Sequence, residues 1–300
     1  MAEYLIRGSR GLKDARPQYE LWLRATKPLP RAWRSCLKNV EQQLRHAAQY
    51  PKSRLYAERS DGTLLGYIGT HPPFEWIATQ HGPPARSLGW AIPFGFPWTA
   101  PLNEQLEVAL YEEMIRVTPE IYAESPRDIY IQRFRESWSR ELTFLEQRGW
   151  KLHDRVPLIG RKINASAPPP QDLIPLTRDG LALVADLCRQ DDTAADKASA
   201  AELQERSDGG WIVHDTIWRL GERGTFALEQ RGPWAAVTVF YAVPEAWNET
   251  LDAAAAQARQ MGAREIYFTI DAHETRRRAA LEQRGFSEVD AGVYYVRDAD

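Results

Sequence analysis

The sequence predicts an α/β protein made of two domains in tandem, and three observations predict it. First, 300 residues exceed one ordinary domain, since domains run to roughly 100–200 residues. Second, a signature recurs. Ile129-Tyr130 is followed 16 residues later by Leu145-Glu146-Gln147-Arg148-Gly149-Trp150, and Ile266-Tyr267 is followed 15 residues later by Leu281-Glu282-Gln283-Arg284-Gly285-Phe286. A repeat of this kind marks a duplicated architecture. Third, Pro168-Pro169-Pro170 sits near the midpoint. Consecutive prolines donate no backbone hydrogen bonds and favour an extended spacer. The expected division is a domain over residues 1–164, a linker over 165–171 and a second domain over 172–300.

In the first half, residues 3–7 read as a strand and 16–25 as a helix. Residues 32–48 form a strongly amphipathic helix, because Trp33, Leu37, Val40, Leu44 and Ala47 recur at helical spacing. Strands over 54–59 and 64–70 flank Ser60-Asp61-Gly62, whose Asp and Gly suit the positive backbone angles of a hairpin turn. A short apolar strand covers 88–92. A helix over 103–117 turns Leu106, Leu110, Met114 and Val117 inward. A strand at 128–134 precedes a helix at 136–148, stopped by Gly149 in a C-cap position. A strand near 156–162 closes the half.

The second half repeats the order. Strand 173–176, helices 180–189 and 198–206, strands 225–230 and 235–243, an alanine-rich helix 249–261, strand 265–270, helix 275–284 capped by Gly285, and a last strand 293–296 follow one another. Residues 212–220 leave a further strand open.

Composition narrows the function. Hydrophobic residues at 43% and charged residues at 26% are ordinary for a globular protein. The net charge of −3 argues against a nucleic-acid binder, although the first 165 residues sum to +6 and the remainder to −9, so a polyanion would favour the first half. Two cysteines, Cys36 and Cys188, exclude a disulfide framework and read as helix packing residues. The six histidines show no paired spacing for zinc, so no metal site is expected. No apolar run of membrane-spanning length occurs, and residues 1–10 do not read as a secretion signal, so a cytoplasmic protein with no membrane partner is expected. The oligomeric state is left open.

The shared element order, ending in strand, helix with Gly-aromatic terminus and strand, resembles the GNAT superfamily of acyl-CoA-dependent N-acyltransferases in its tandem form. The similarity is clearest over residues 58–163 and 226–296. It implies a twisted mixed sheet flanked by helices in each domain. Two neighbouring strands splay, and the co-substrate, acetyl-CoA or another acyl-CoA, enters the gap with its pyrophosphate on amides at the next helix start, where unpaired amides and the helix dipole attract anions. The acceptor implied is an amine on a small molecule.

Several family features are missing. The phosphate-binding signature (Arg or Gln, two spacers, Gly, one spacer, Gly or Ala) is replaced by Ile92-Pro93-Phe94-Gly95-Phe96-Pro97-Trp98-Thr99-Ala100-Pro101, with one Gly and three Pro. The second copy reads Val243-Pro244-Glu245-Ala246-Trp247-Asn248-Glu249, where two carboxylates oppose a pyrophosphate. The tyrosine that family members place four residues before the closing Gly is Leu145 in one copy and Leu281 in the other. Neither strand before the loops carries a carboxylate. Two functions follow: a GNAT-type acyltransferase working in the first half with a degenerate second copy, or a binding or regulatory protein that keeps the fold without transfer.

Candidate residues for the cofactor are Trp90, Ile92, Gly95, Phe96, Trp98 and Thr99, as aromatic walls and amide donors beside the expected entrance. His71 and Glu75 could supply a base, His having a suitable pKa. Tyr130, with Gln132, could contact pantetheine or acceptor. The run Arg276-Arg277-Arg278 reads as a solvated helix face.

Overall fold

The computed structural model describes residues 4–33, 37–78, 86–164, 168–176, 180–194, 197–208 and 217–299. Cys36, most of the expected linker start (165–167) and residues 212–216 of the open strand lie outside them. The chain divides into two compact units, one of Met1–Thr79, Pro83–Arg155 and Val293–Asp300, the other containing Val156–Gly292.

Unit 1 begins with β1 (Tyr4–Gly8), α1 (Ala15–Ala25) and α2 (Leu37–Ala47). It continues with β2 (Arg54–Arg59), β3 (Leu64–Gly69), β4 (Phe74–Ala78), β5 (Arg86–Pro93) and β6 (Trp98–Thr99). α3 (Glu104–Ile121), β7 (Ile129–Arg135) and α4 (Ser139–Glu146) complete it up to β8 (Lys151–Lys162). Unit 2 has β9 (Leu173–Pro175), α5 (Leu181–Gln190), α6 (Ala200–Asp208), β10 (Ile217–Leu220), β11 (Gly224–Arg231) and β12 (Trp234–Ala242). α7 (Trp247–Gln260), β13 (Glu265–Thr269), α8 (Thr275–Glu282) and β14 (Ser287–Asp298) follow.

The unit boundary differs from the expected one. β8 is one unbroken strand, and Leu158–Lys162 of it pair antiparallel with β13, so residues from Val156 onward belong to unit 2 and Pro168–Pro170 lie inside that unit. Val293 and Tyr295 of β14 are buried in the unit 1 core with Phe94, Tyr130 and Trp150, which returns the last residues to unit 1. Among the described residues, β4 is an element the sequence did not announce.

The elements form for the expected local reasons. The β2–β3 turn has Gly62 at φ +86°, and Asp61 Oδ1 accepts from Thr63 N at 2.9 Å. α3 is N-capped by Asn103, whose side chain accepts from Leu106 N at 3.0 Å. Leu106, Leu110, Met114 and Val117 are buried on its inner face. The repeated signature builds the same helix end twice. Gly149 (φ +81°) and Gly285 (φ +76°) take the left-handed conformation. Trp150 N donates to Leu145 O and Phe286 N to Leu281 O, both at 3.2 Å, and all four of these side chains are buried.

In unit 1, β1, β2, β3 and β6 form an antiparallel sheet in that order, while β4, β5 and β7 follow one another in a second sheet. β3 with β4 and β5 with β6 are two arms of one bent hairpin: Tyr67 pairs with Trp98, Thr70 bridges Phe94 and Phe74 pairs with Ala91. β5 runs parallel to β7 only from Ala91↔Ile129 to Pro93↔Ile131. Beyond Phe94 the chain stays with β3, and β7 goes on through Gln132–Arg135 without β5 beside it. This parting of two parallel strands is the splay that the resemblance predicts. Unit 2 repeats it. β12 and β13 are parallel from Trp234↔Glu265 to Val237↔Phe268, after which β12 stays with β11 as far as Ala242↔Gly224.

Candidate functional site

The crevice of unit 1 opens where β5 leaves β7, and this chain's own groups fill it. The Gln132 amide Nε2 donates to Gly95 O at 3.1 Å, and Gly95 N donates to Gly69 O at 2.6 Å. Only glycine fits there, since a Cβ on residue 95 would stand 2.6 Å from Gly69 O. Phe96 wedges between the strands, with its ring 5.8 Å from Phe134 on β7 and 5.1 Å from Phe144 on α4. Edge-to-face contacts of this kind let large rings close a gap tightly.

Below the wedge an open cleft of about 640 Å³ lies between the end of α1, the β6–α3 loop and the start of α4. Trp98, Trp138 and Leu29 line it, together with four charged groups: Arg24, Glu107, Arg140 and Glu141. Glu107 is 1% exposed. Its Oε1 accepts from Thr99 Oγ1 at 3.0 Å, and Oε2 pairs with Arg140 Nη2. Burial raises the Glu107 carboxyl above its usual range, against the opposing pull of Arg140 and Thr99. Glu141 is 3% exposed; Oε1 accepts from Arg140 Nη1 at 3.0 Å and Oε2 has no hydrogen-bond partner.

Several amides at the start of α3, where the resemblance places the pyrophosphate of acyl-CoA, are taken by the chain's own acceptors. Ala100 N donates to Leu65 O at 3.1 Å and Pro101 has no amide hydrogen. Asn103 N donates to Thr99 Oγ1 and Leu106 N to Asn103 Oδ1, each at 3.0 Å. The first turn of α3 carries Glu104 and Glu107. The positive helix end is therefore complemented by carboxylates of the chain itself.

The crevice of unit 2 is closed differently. Arg277 of α8 is 9% exposed; its Nη2 donates to Phe240 O at 3.2 Å and lies 3.5 Å from Asp191 Oδ2. Asp191, fully buried, accepts from Ala242 N at 3.3 Å. Phe240 stacks edge-on with Trp247 and Phe268 at 5.0 and 5.5 Å. The expected solvated face thus holds for exposed Arg276 but not for Arg277, which pairs with Glu274 three positions earlier and also with Asp191, 86 positions earlier, a partner that leaves no local trace.

The structure brings Gly95, Phe96, Trp98 and Thr99 together at the crevice and cleft. Ile92 is fully buried opposite Tyr130 in the strand register. Tyr130 is 2% exposed, in the core, with its ring 5.2 Å from Phe94. His71 sits at the bend between β3 and β4, its Nε2 2.9 Å from Arg54 Nη2. Glu75 and Trp90 are exposed partners across β4 and β5, before the strands part. Sequence reasoning missed Glu107, Arg140 and Glu141. The only signal was acidic and basic residues at the starts of two helices, which ordinarily means no more than favourable helix-end charges. Among the described residues no group of three or more His, Cys, Asp or Glu side chains could hold a metal, and no helix is long and apolar enough to cross a membrane.

Two splayed-strand units in one chain define the tandem GNAT fold. No protein-family model matches the sequence, and no curated protein does. Among solved structures, a tandem GNAT protein from the clavulanic acid biosynthesis pathway is similar over 99% of both chains, with 13% identity and a TM-score of 0.58. A GCN5-related N-acetyltransferase from Kribbella flavida is similar over 99% of this chain and 72% of its own, with 10% identity and a TM-score of 0.50. At such identities the likeness is one of fold.

Proposed function

We propose that this chain is a ligand-binding or regulatory protein on the tandem GNAT fold, and that it does not use acyl-CoA. One observation carries the reading. In each unit one carbonyl at the strand parting is bonded to a side chain of the protein, Gly95 O to Gln132 and Phe240 O to Arg277. A ligand using either carbonyl would have to displace that bond before making its own. The open cleft of unit 1 is the binding site in this reading.

The fold itself, with that open cleft, favours a second reading: transfer of an acyl group, acetyl in the simplest case, from acyl-CoA to the amine of a small molecule. Calorimetric titration of acetyl-CoA into the intact chain separates the two. The expected result is no saturable binding up to about 1 mM. Saturable binding below that concentration overturns the proposal and restores the transferase.

A further inference from the structure

The geometry points to a second ligand site in unit 1: the guanidinium of Arg54, at the start of β2, holds the carboxylate of a small organic acid beside the bend between β3 and β4. Arg54 does not line the open cleft, so the site goes beyond the reading above.

Arg54 is 5% exposed, and its charge is unmatched. Its Nη2 donates to Gln43 Oε1 at 3.0 Å and faces His71 Nε2 at 2.9 Å, and among the described residues no carboxylate pairs with it. Arginine nitrogens only donate, so His71 Nε2 accepts and its imidazole is uncharged. Tyr56, Tyr67 and Tyr122 lie within reach of the Arg54 charge. All three are buried, and burial pushes their phenols above the ordinary range, so none ionises near neutral pH to balance it. The buried arginine of unit 2, Arg277, is by contrast matched by Asp191 and Glu274. A buried charge left unmatched is unfavourable, and an anion from outside relieves it.

Arg54 also has donors to offer. Gln43 and His71 occupy Nη2, whereas Nε and Nη1 make no hydrogen bond among the described residues. Unlike the unpartnered Nε atoms of Arg133 and Arg140, which are sealed from solvent, these two stay accessible. Gly69 makes the room. A Cβ there would stand 2.5 Å from Arg54 Cδ and 2.8 Å from Nε, so the guanidinium lies against bare backbone. Gly69 O accepts from Gly95 N, so the site backs onto the crevice.

One positive charge beside a neutral imidazole matches a monovalent carboxylate, whose two oxygens suit guanidinium donors. A phosphate dianion would bring a surplus charge among buried phenols, and an amine would meet like charge.

The test is thermal unfolding of the intact chain near neutral pH, at constant ionic strength set with chloride. Acetate at about 100 mM is compared with its neutral counterpart acetamide, since a ligand that binds only the folded chain raises the midpoint. We expect acetate to raise it by about 2 °C or more and acetamide to leave it unchanged. Arg54→Gln should abolish the acetate increment. His71→Glu sets a carboxylate of the chain against Nη2, so its acetate increment should be smaller than the parent's. The contrast between acetate and acetamide needs no variant, so the test stays decisive if either substitution fails to fold. Equal midpoints in acetate and acetamide, an undiminished acetate increment in Arg54→Gln or His71→Glu, or a larger increment from inorganic phosphate than from acetate overturns the inference. The acetyl-CoA titration fails independently, because it decides the transferase reading whatever acetate does.

Discussion

Trp138→Ala is expected to destabilise unit 1 by about 4 kcal/mol, within the range for truncating a buried tryptophan. Trp138 is 2% exposed at the turn into α4. Its indole Nε1 donates to Pro30 O at 2.7 Å, tying the segment after α1 to the β7–α4 turn. Its ring stands edge-on to Trp33 at 4.9 Å, Phe134 at 6.0 Å and Trp98 at 6.3 Å. Alanine there would leave a cavity that those rigid rings cannot collapse to fill, and would orphan the Pro30 carbonyl. Trp90→Ala is the control: that side chain is 39% exposed, so its loss should cost about 0.5 kcal/mol or less. Urea denaturation followed by tryptophan fluorescence and by circular dichroism measures both. If the two variants lose the same stability, Trp138 does not hold the segment after α1 against the β7–α4 turn.

The contrast between these two tryptophans shows what the sequence carries. Helix periodicity exposed the inner face of α3, and the Gly-aromatic ends of α4 and α8 announced a duplicated unit, because a left-handed helix terminus is a local demand that only a few residues meet. Strand parting was legible only through resemblance, since nothing in Phe94 or Val237 marks the point at which a ladder stops. No strand was legible at Phe74–Ala78, because two prolines precede a strand of only five residues. The sorting of β8 and β14 between units was hidden too. Lys151, His153, Asp154 and Arg155 look like loop residues, and no local pattern says which unit each half of a long strand belongs to. The cleft network was the least legible part. Thr99, Glu107, Arg140 and Glu141 are ordinary polar residues until the fold places α3 and α4 side by side, and their burial is a property of tertiary contact alone.

Asp191→Ala is expected to destabilise unit 2 by about 4 kcal/mol, more than Arg277→Met at about 2 kcal/mol, and the two losses should not add. The asymmetry follows from what each change leaves behind. Asp191 is fully buried and serves four groups. Its Oδ1 accepts from Thr193 N at 2.8 Å and Thr193 Oγ1 at 2.6 Å, while Oδ2 accepts from Ala242 N at 3.3 Å and faces Arg277. Removing it strands the amide at the end of β12 and leaves a buried guanidinium with Glu274 at 3.4 Å as its remaining carboxylate. Removing Arg277 leaves Asp191 with its other three donors, which continue to stabilise the charge. In the double variant the guanidinium and the carboxylate vanish together. The summed single losses should therefore exceed the double loss by about 1 kcal/mol or more, measured by urea denaturation of the three variants and the parent. Strict additivity would mean that the pair does not latch the crevice. Arg277→Met also frees Phe240 O, so it offers acetyl-CoA the acceptor that the arginine now holds. Glu245 and Glu249 still stand at the start of α7, and like charge at that helix end should keep acetyl-CoA from binding even with the latch removed.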